Sequence, residues 1–503
     1  MSRGAVAAGS RHTVEAGLRA LRLGGNAVDA AIAASLMAGV AEPLLTGLGG
    51  AGLAMVRVAG QVRALDLFTA MPGLGREGAP PPLDEIDVDF GVTVQRFHTG
   101  PGAIAVPGLP RGLATLHAAH GTLPLDELGA PAAAAAAKGV EVSEVFGRVA
   151  GLLWPILRRD EAVRAVFARP GEPDQPLRAG DTFAWPALGA SIAAYCESGG
   201  DWLERGQGSE RLFSALGPRT RLTALDMSSY RATWGAPLRC RYRDATLWVP
   251  GPPSVAGLLV LEALRALEDG GAMPPLGSAD AVRRLTAAQE LAEGQREGLN
   301  QRLFDEDFLS GALRRLRADR RGSAGFTTHI SAVDGEGNAV AITHSLGETC
   351  GEEIPGTGVL LNNFLGESDV NPADAPRAPG ERLYTMCCPC LLERGDQVVA
   401  LGTGGSNRIR SAILHGVVNL VDYGLAPDAA VAAPRSHVEQ GVLHIEAAAR
   451  SQDVLAALQA ERPDLVIFED RHLFFGGLHI AGAGAGGFVG AGDLRRSGTW
   501  GRA

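Results

Sequence analysis

The chain has 503 residues, 46% of them apolar, and a formal net charge of −10. Such a length suggests about two to four domains or one large layered fold, with enough apolar residues for a sizeable core. The charge is spread rather than gathered in a tail, which argues against a general nucleic-acid binder, and the one lysine, Lys138, leaves a single candidate for lysine-based catalysis.

The opening residues show no long apolar run behind basic ones and do not read as a secretory leader. Residues 27–45 are apolar but interrupted by Asp29, Glu42 and Pro43, which excludes a membrane span there. Six cysteines (Cys196, Cys240, Cys350, Cys387, Cys388 and Cys390) are too sparse for a disulfide framework. A cytoplasmic protein without membrane association is expected; the mature form of an exported protein would look the same.

Residues 14–23 and 27–41 carry helical spacing, separated by Gly24-Gly25-Asn26. The glycine-rich run 47–52 follows, then LAMVRV and VRALDL, which read as a hairpin turning near Ala59-Gly60. Helical patterns dominate 107–268, with proline-rich punctuation at 169–176 and 250–253, and the alanine run 132–137 is most simply a helix. Residues 281–300 predict a further helix. The basic stretch GALRRLRADRRGSAG at 311–325 reads as a solvated, flexible segment.

After Thr327 the pattern changes. THISAVD, AVAITHS, GVLLNN, CLLERG and QVVALG are short β-branched or apolar runs between turns, and predict strands of antiparallel sheets. A helix is predicted over 406–423, its start marked by Gly404-Gly405-Ser406. Helices before and after the strands imply sheets covered on both sides, an α+β architecture.

Thr327 stands at the head of the first of these strands, just after the basic stretch. A threonine hydroxyl needs a base to become a nucleophile, and the residue's own α-amine serves when it is a chain terminus. An α-amine pKa of about 8 suits that role near neutrality. Cleavage of the preceding peptide bond would therefore turn an internal Thr327 into a competent nucleophile. Gly404-Gly405 before a helix offers backbone N–H groups and the positive helix end to an oxyanion. A Thr-Thr pair at a strand start and a glycine strand-to-helix turn are also common structural features in their own right.

The residues GGNAVDAAIAASL (24–36), GLGGAGLAMV (47–56), VPGLPRGLATL (106–116), YRDATLWVPGPPSVAGLLVLEAL (242–264), FTTHISAVDGEGNAVAIT, GTGVLLNN (356–363), GTGGSNRIRSAILHGVVNLVDYG (402–424) and AAPRSHVE (432–439) together resemble the γ-glutamyltransferase family. The resemblance runs from about residue 10 to 495. It implies an N-terminal-nucleophile hydrolase: an αββα sandwich of two stacked antiparallel sheets flanked by helices. It further implies autocatalytic cleavage between Phe326 and Thr327, with residues 1–326 and 327–503 remaining intertwined as one unit. Thr327 would be the nucleophile and Ser345 the hydroxyl that hydrogen-bonds it. Gly404 and Gly405 would form the oxyanion hole. No metal or cofactor is implied.

At the substrate site the chain departs from the family. Phe68 occupies the place of the arginine that binds the glutamyl carboxylate, and Thr385 and Met386 stand where the family has paired serines. Around the amine, Gly347, Phe364 and Glu367 stand where the family uses an asparagine, a side chain after the Asn-Asn pair and an aspartate. A carboxylate without its cation is poorly compensated on leaving water, so a γ-glutamyl donor should be a poor substrate and a less charged or more apolar acyl amide a better one. A nearby arginine, Arg63 or Arg408, would restore the contact.

Other features invite different readings. Cys387-Cys388-Pro389-Cys390 lacks a second ligand pair and reads as buried strand. The glycines at 482–487 fit a dinucleotide fingerprint formally, but a terminal hairpin suits them better. His117 and His120 read as surface residues, and His329 as structural or as an aid to processing. The expected function is an autoprocessed amidohydrolase or acyltransferase with altered acyl specificity. It would take a small-molecule amide and a water or amine acceptor, with the chain's own two fragments, and a second copy in a homodimer, as its macromolecular partners. The reading of another class is an uncleaved family relative acting as a binding or scaffold protein.

Overall fold

Both faces of residues 328–334 and 339–345 are buried along their whole length, so the sheet that holds them must be covered on each side. The computed structural model describes residues 3–89, 94–296, 299–305 and 327–503. The strands of its two large sheets are, in chain order, β1 (Gly4–Ala8), β2 (Ala51–Val58), β3 (Gln61–Leu67), β4 (Thr233–Gly235), β5 (Leu238–Tyr242), β6 (Ala245–Val249), β7 (Thr328–Asp334), β8 (Ala339–Ser345), β9 (Cys390–Arg394), β10 (Gln397–Gly402), β11 (His479–Gly484), β12 (Gly487–Ala491) and β13 (Thr499–Arg502). Among the described residues one sheet has the order β4-β3-β2-β8-β7-β1-β13 and the other β5-β6-β9-β10-β11-β12. Neighbouring strands are antiparallel throughout.

Alternation along the strands sorts the core into layers. Ala5, Ala7, Met55, Val333 and Ala341 face Leu391, Val398, Ala400 and Ala481 across the seam between the sheets. The intervening residues Val6, Ile330, Val340 and Ile342 face outward, onto α1 (Arg11–Arg22) and α2 (Ala27–Ala41). On the far side Cys390, Leu392 and Ile480 pack beneath α3 (Val255–Asp269), α4 (Ala279–Gly294) and α5 (Arg408–Val421). The result is the helix–sheet–sheet–helix sandwich. Strands from before and after residue 327 take part in both sheets, so the chain is one layered unit rather than a row of domains.

The predicted elements appear with shifted ends. The helix expected over 281–300 stops at Gly294, and Arg296 beyond it pairs with Asp369 at 2.6 Å. In GVLLNN only Val359–Leu360 is strand. The amides of Asn362 and Asn363 beyond it bond to the backbone at Gly49, Ala105 and Glu348, a local competitor of the ladder. Region 107–268, read as helical, also contains β4, β5 and β6. The helix after Gly404-Gly405 begins at Arg408 because Ser406 has φ +50. Residues 482–487 do form the turn of the β11–β12 hairpin. The basic stretch 311–325 and Phe326 lie outside the described residues.

Asp334 ties the layers at the turn after β7. Its carboxylate accepts the N–H of Ala27 at the start of α2 (2.9 Å), the side chain of Asn338 (2.9 Å) and the N–H groups of Glu336 and Asn338 (2.9 and 3.0 Å). Asp334→Ala should lower stability by about 2–4 kcal/mol, since it orphans buried donors and a helix terminus together. Asp334→Asn should recover part of that loss, as read by urea or thermal unfolding.

Candidate active site

The antiparallel register of β7 and β8 pairs Thr328 with His344 and so sets Thr327, one residue before β7, at the level of Ser345 at the end of β8. Both side chains are buried. They line one pocket with Phe68, Phe364, Glu367, Val370, Thr385, Met386 and Cys387. Each lining segment is fixed locally. Phe68 N–H is held by Asp66 (2.8 Å) and Phe68 C=O by the Tyr230 hydroxyl (2.6 Å). Thr385 accepts from Cys387 N–H (3.0 Å), and its backbone is clamped by Pro253 and Val255. Ser345 Oγ accepts the N–H of Gly347 at 2.8 Å.

The turn after β10 comes from the other sheet. A Cβ at Gly404 would lie 1.9 Å from the Thr327 carbonyl oxygen, so only glycine fits there. Gly405 has φ +128, a conformation that side chains oppose. Gly404 thus lies against the Thr327 backbone, and Gly405 beside Arg496 and Gly476, ahead of the N-terminus of α5.

The pocket wall is apolar where the sequence departs from its resembled family. Phe68 and Phe364 rings meet at 5.3 Å. No arginine or lysine is among the described residues lining the pocket. Arg63 stacks on Trp234 at 4.6 Å, and Arg408 bonds to Phe474 C=O and stacks on its ring, so neither restores the cation. Arg382, which grips Asp66 (2.7 Å), stacks on Tyr230.

Beside the wall lies an acidic cluster. Gly347 does not reach the substrate space; the room for its side chain is taken by Glu367 Oε1 and Asn363 Oδ1, 2.0 and 2.1 Å from where a Cβ would be. Glu348 accepts from Asn363 Nδ2 at 2.9 Å, while its Oε1 and that of Glu367 are buried without a hydrogen-bond partner. Burial pushes the Glu348 carboxyl up to about 8. Burial, with Glu348 and Asp369 nearby, raises Glu367 well above the carboxylate range.

His329 donates or accepts between Thr343 Oγ1 (2.7 Å) and Ser331 Oγ (2.9 Å), packed on Gly402 in the seam. Burial keeps it neutral, which fits a structural role. Cys388 and Cys390 are core thiols, and Cys387 joins the pocket wall. Glu42 and Arg496, next to the Thr327 strand, carried no motif in the sequence. Glu42 showed only as a charge in an apolar stretch; its carboxylate accepts the hydroxyls of Thr328 (2.6 Å) and Thr13 (2.8 Å).

An αββα sandwich with a buried hydroxyl pair where its two sheets meet defines the N-terminal-nucleophile class of amide-bond hydrolases. The Gamma-glutamyltranspeptidase family matches residues 13–502, and the chain belongs to that family, whose members act on amide bonds. It is 32% identical over 475 residues to the Acylase ACY 1 proenzyme of Pseudomonas sp. (strain SE83), covering 89% of this chain and 84% of that one. The Glutathione hydrolase proenzyme of Escherichia coli (strain K12) is 29% identical over 481 residues, covering 86% and 80%. The cephalosporin acylase of Bacillus halodurans superposes with a TM-score of 0.83 at 24% identity, over 99% of this chain and 96% of that one, and shares the fold. No helix among the described residues is long and apolar enough to cross a membrane.

Glu348 gives a pH signature. Its folded carboxyl titrates near 8 and its unfolded one near 4.5, so folding takes up a proton between those values. Its contribution to stability is full below the unfolded value and is lost as pH rises through the folded one, at about 1.4 kcal/mol per unit. Glu348→Gln should therefore raise the melting temperature relative to the parent at pH 8 by more than at pH 5. A constant difference across that window would refute the assignment.

Proposed function

We propose that this chain is a proenzyme cut before Thr327 and that the mature form transfers apolar acyl groups from amides to water or an amine. Support comes chiefly from one observation: Thr327 and Ser345 share a pocket whose wall is the Phe68–Phe364 pair and whose described lining has no cation. In this reading the freed Thr327 amine takes the proton of its own hydroxyl as that oxygen attacks the amide carbonyl. The C–N bond breaks, the proton passes to the leaving amine, and water or an acceptor amine then cleaves the ester. Ser345 would hold the hydroxyl in line, and the N–H groups at Gly404-Gly405 would receive the oxyanion.

Thr385 and Met386 would bound the acyl chain, and Glu367 would face it from the acidic side. A glutamyl carboxylate would enter this pocket beside two acids and no base. The acylase name of one relative is consistent with that preference. Six free thiols support a reducing, cytoplasmic compartment.

A denaturing gel of purified protein should show two fragments, and Thr327→Ala one intact band. A single band from the parent protein would favour an uncleaved scaffold instead. On the cleaved protein, kcat/KM for a hexanoyl anilide should exceed that for a γ-glutamyl anilide at least about tenfold, since an unpaired carboxylate costs several kcal/mol to bury. The reverse order would sink the specificity reading.

A further inference from the structure

Three buried arginines converge near the end of the chain, and they are not equivalent. Arg435 pairs with Asp493 at 2.6 Å, and Arg495 pairs with Glu446 at 2.6 Å and Asp493 at 3.2 Å. Arg496 has no carboxylate within ion-pair reach among the described residues. Its Nη1 donates instead to the Thr327 carbonyl oxygen at 3.4 Å, across 169 residues of sequence. Its Nη2 lies beside Gly405, 3.2 Å from where a methyl would stand, and its Nε has no partner. Gly477 makes room for the side-chain stem: a Cβ there would be 2.6 Å from Arg496 Cδ.

A buried cation without a counter-ion is costly, and removing it would be the cheaper design unless the charge has a use. Resting on the reading of Thr327 as nucleophile, we propose that Arg496 is a positioning residue that orients the Thr327 backbone and sets a positive field at its freed amine. The hydrogen bond fixes the plane of the peptide after Thr327 and thereby the backbone frame from which the amine and the side chain project. The charge disfavours the ammonium form, and only the neutral amine acts as base.

Other charges bear on the same point. Glu42, after α2, opposes Arg496 and lines a small cavity with it and Gly9. Arg408 of α5, Arg435 and Asp493 act on the guanidinium from the other side. Toward the pocket stand Glu367 and Asp369, the latter neutralised by Arg296. Burial lowers Arg496 only to about 10, so it keeps its charge at neutral pH.

The test compares parent, Arg496→Lys and Arg496→Gln proteins by intact mass, melting temperature and the pH profile of hexanoyl anilide hydrolysis. The glutamine variant should lose about tenfold or more in kcat with KM within about twofold. The acid limb of its kcat/KM profile should move to higher pH by at least about half a unit, and lysine should restore most of that shift. If the glutamine variant stays uncut at an unchanged melting temperature while the lysine variant is cut, the same conclusion follows, because cleavage uses the same hydroxyl. A glutamine variant with an unmoved acid limb and near-parental kcat would overturn the proposal. So would equal loss of melting temperature in both variants with the acid limb unmoved. Parent protein that stays one chain would refute the reading of Thr327 itself, and this inference with it; a cut, active parent with unaffected variants refutes the inference alone.

Discussion

Gly404, just beyond β10, meets Thr327, just before β7, at a distance that leaves no space even for a methyl group. In the proposed mechanism each sheet would bring half of the chemistry to that point. The first supplies Thr327 and Ser345 through the register of β7 and β8, and the second supplies the glycine turn and the start of α5. Any slip of one residue in that ladder would turn Thr327 away from the seam. The alanine-rich interior between the sheets lets them sit close enough for the contact to exist.

Around that contact the pocket is part apolar and part acidic: Phe68 packs on Phe364, and two carboxyls with raised proton affinity, Glu348 and Glu367, are buried nearby. The two features are coupled in space. The absence of a side chain at 347 leaves the volume that Glu367 Oε1 and Asn363 Oδ1 fill, and Glu367 still lines the pocket beside the phenylalanine pair.

The buried charges behind the site follow a different logic. Asp493, Glu446, Arg435 and Arg495 satisfy one another and clamp the chain terminus against the second sheet, with Asp493 also accepting the N–H of Leu478 at 3.0 Å. Such a network gives little net stability but a single geometry. It is this rigid frame that carries the guanidinium of Arg496 to Thr327, just before β7.

Much of the architecture was legible in the residues. Short β-branched or apolar runs between turns marked β7, β8, β9 and β10, Ala59-Gly60 marked the hairpin turn, and the Gly24-Gly25-Asn26 break separated the first two helices, because these signals are local and the backbone obeys them locally. The ordered blocks likewise carried the family and the candidate residues Thr327, Ser345, Gly404 and Gly405. Short strands such as β5 and β6 were lost among helical neighbours, and the asparagines after Leu361 ended a strand that composition alone would extend. What only the tertiary structure decided is which charges stand near the hydroxyl. Arg63 and Arg408 are close in sequence to site segments yet turn to aromatic partners, whereas Glu42 and Arg496, remote in sequence and without motif, arrive beside Thr327. A side chain's type is written in the chain, but its electrostatic reach depends on through-space distance and burial, which exist only once the two sheets have closed on each other.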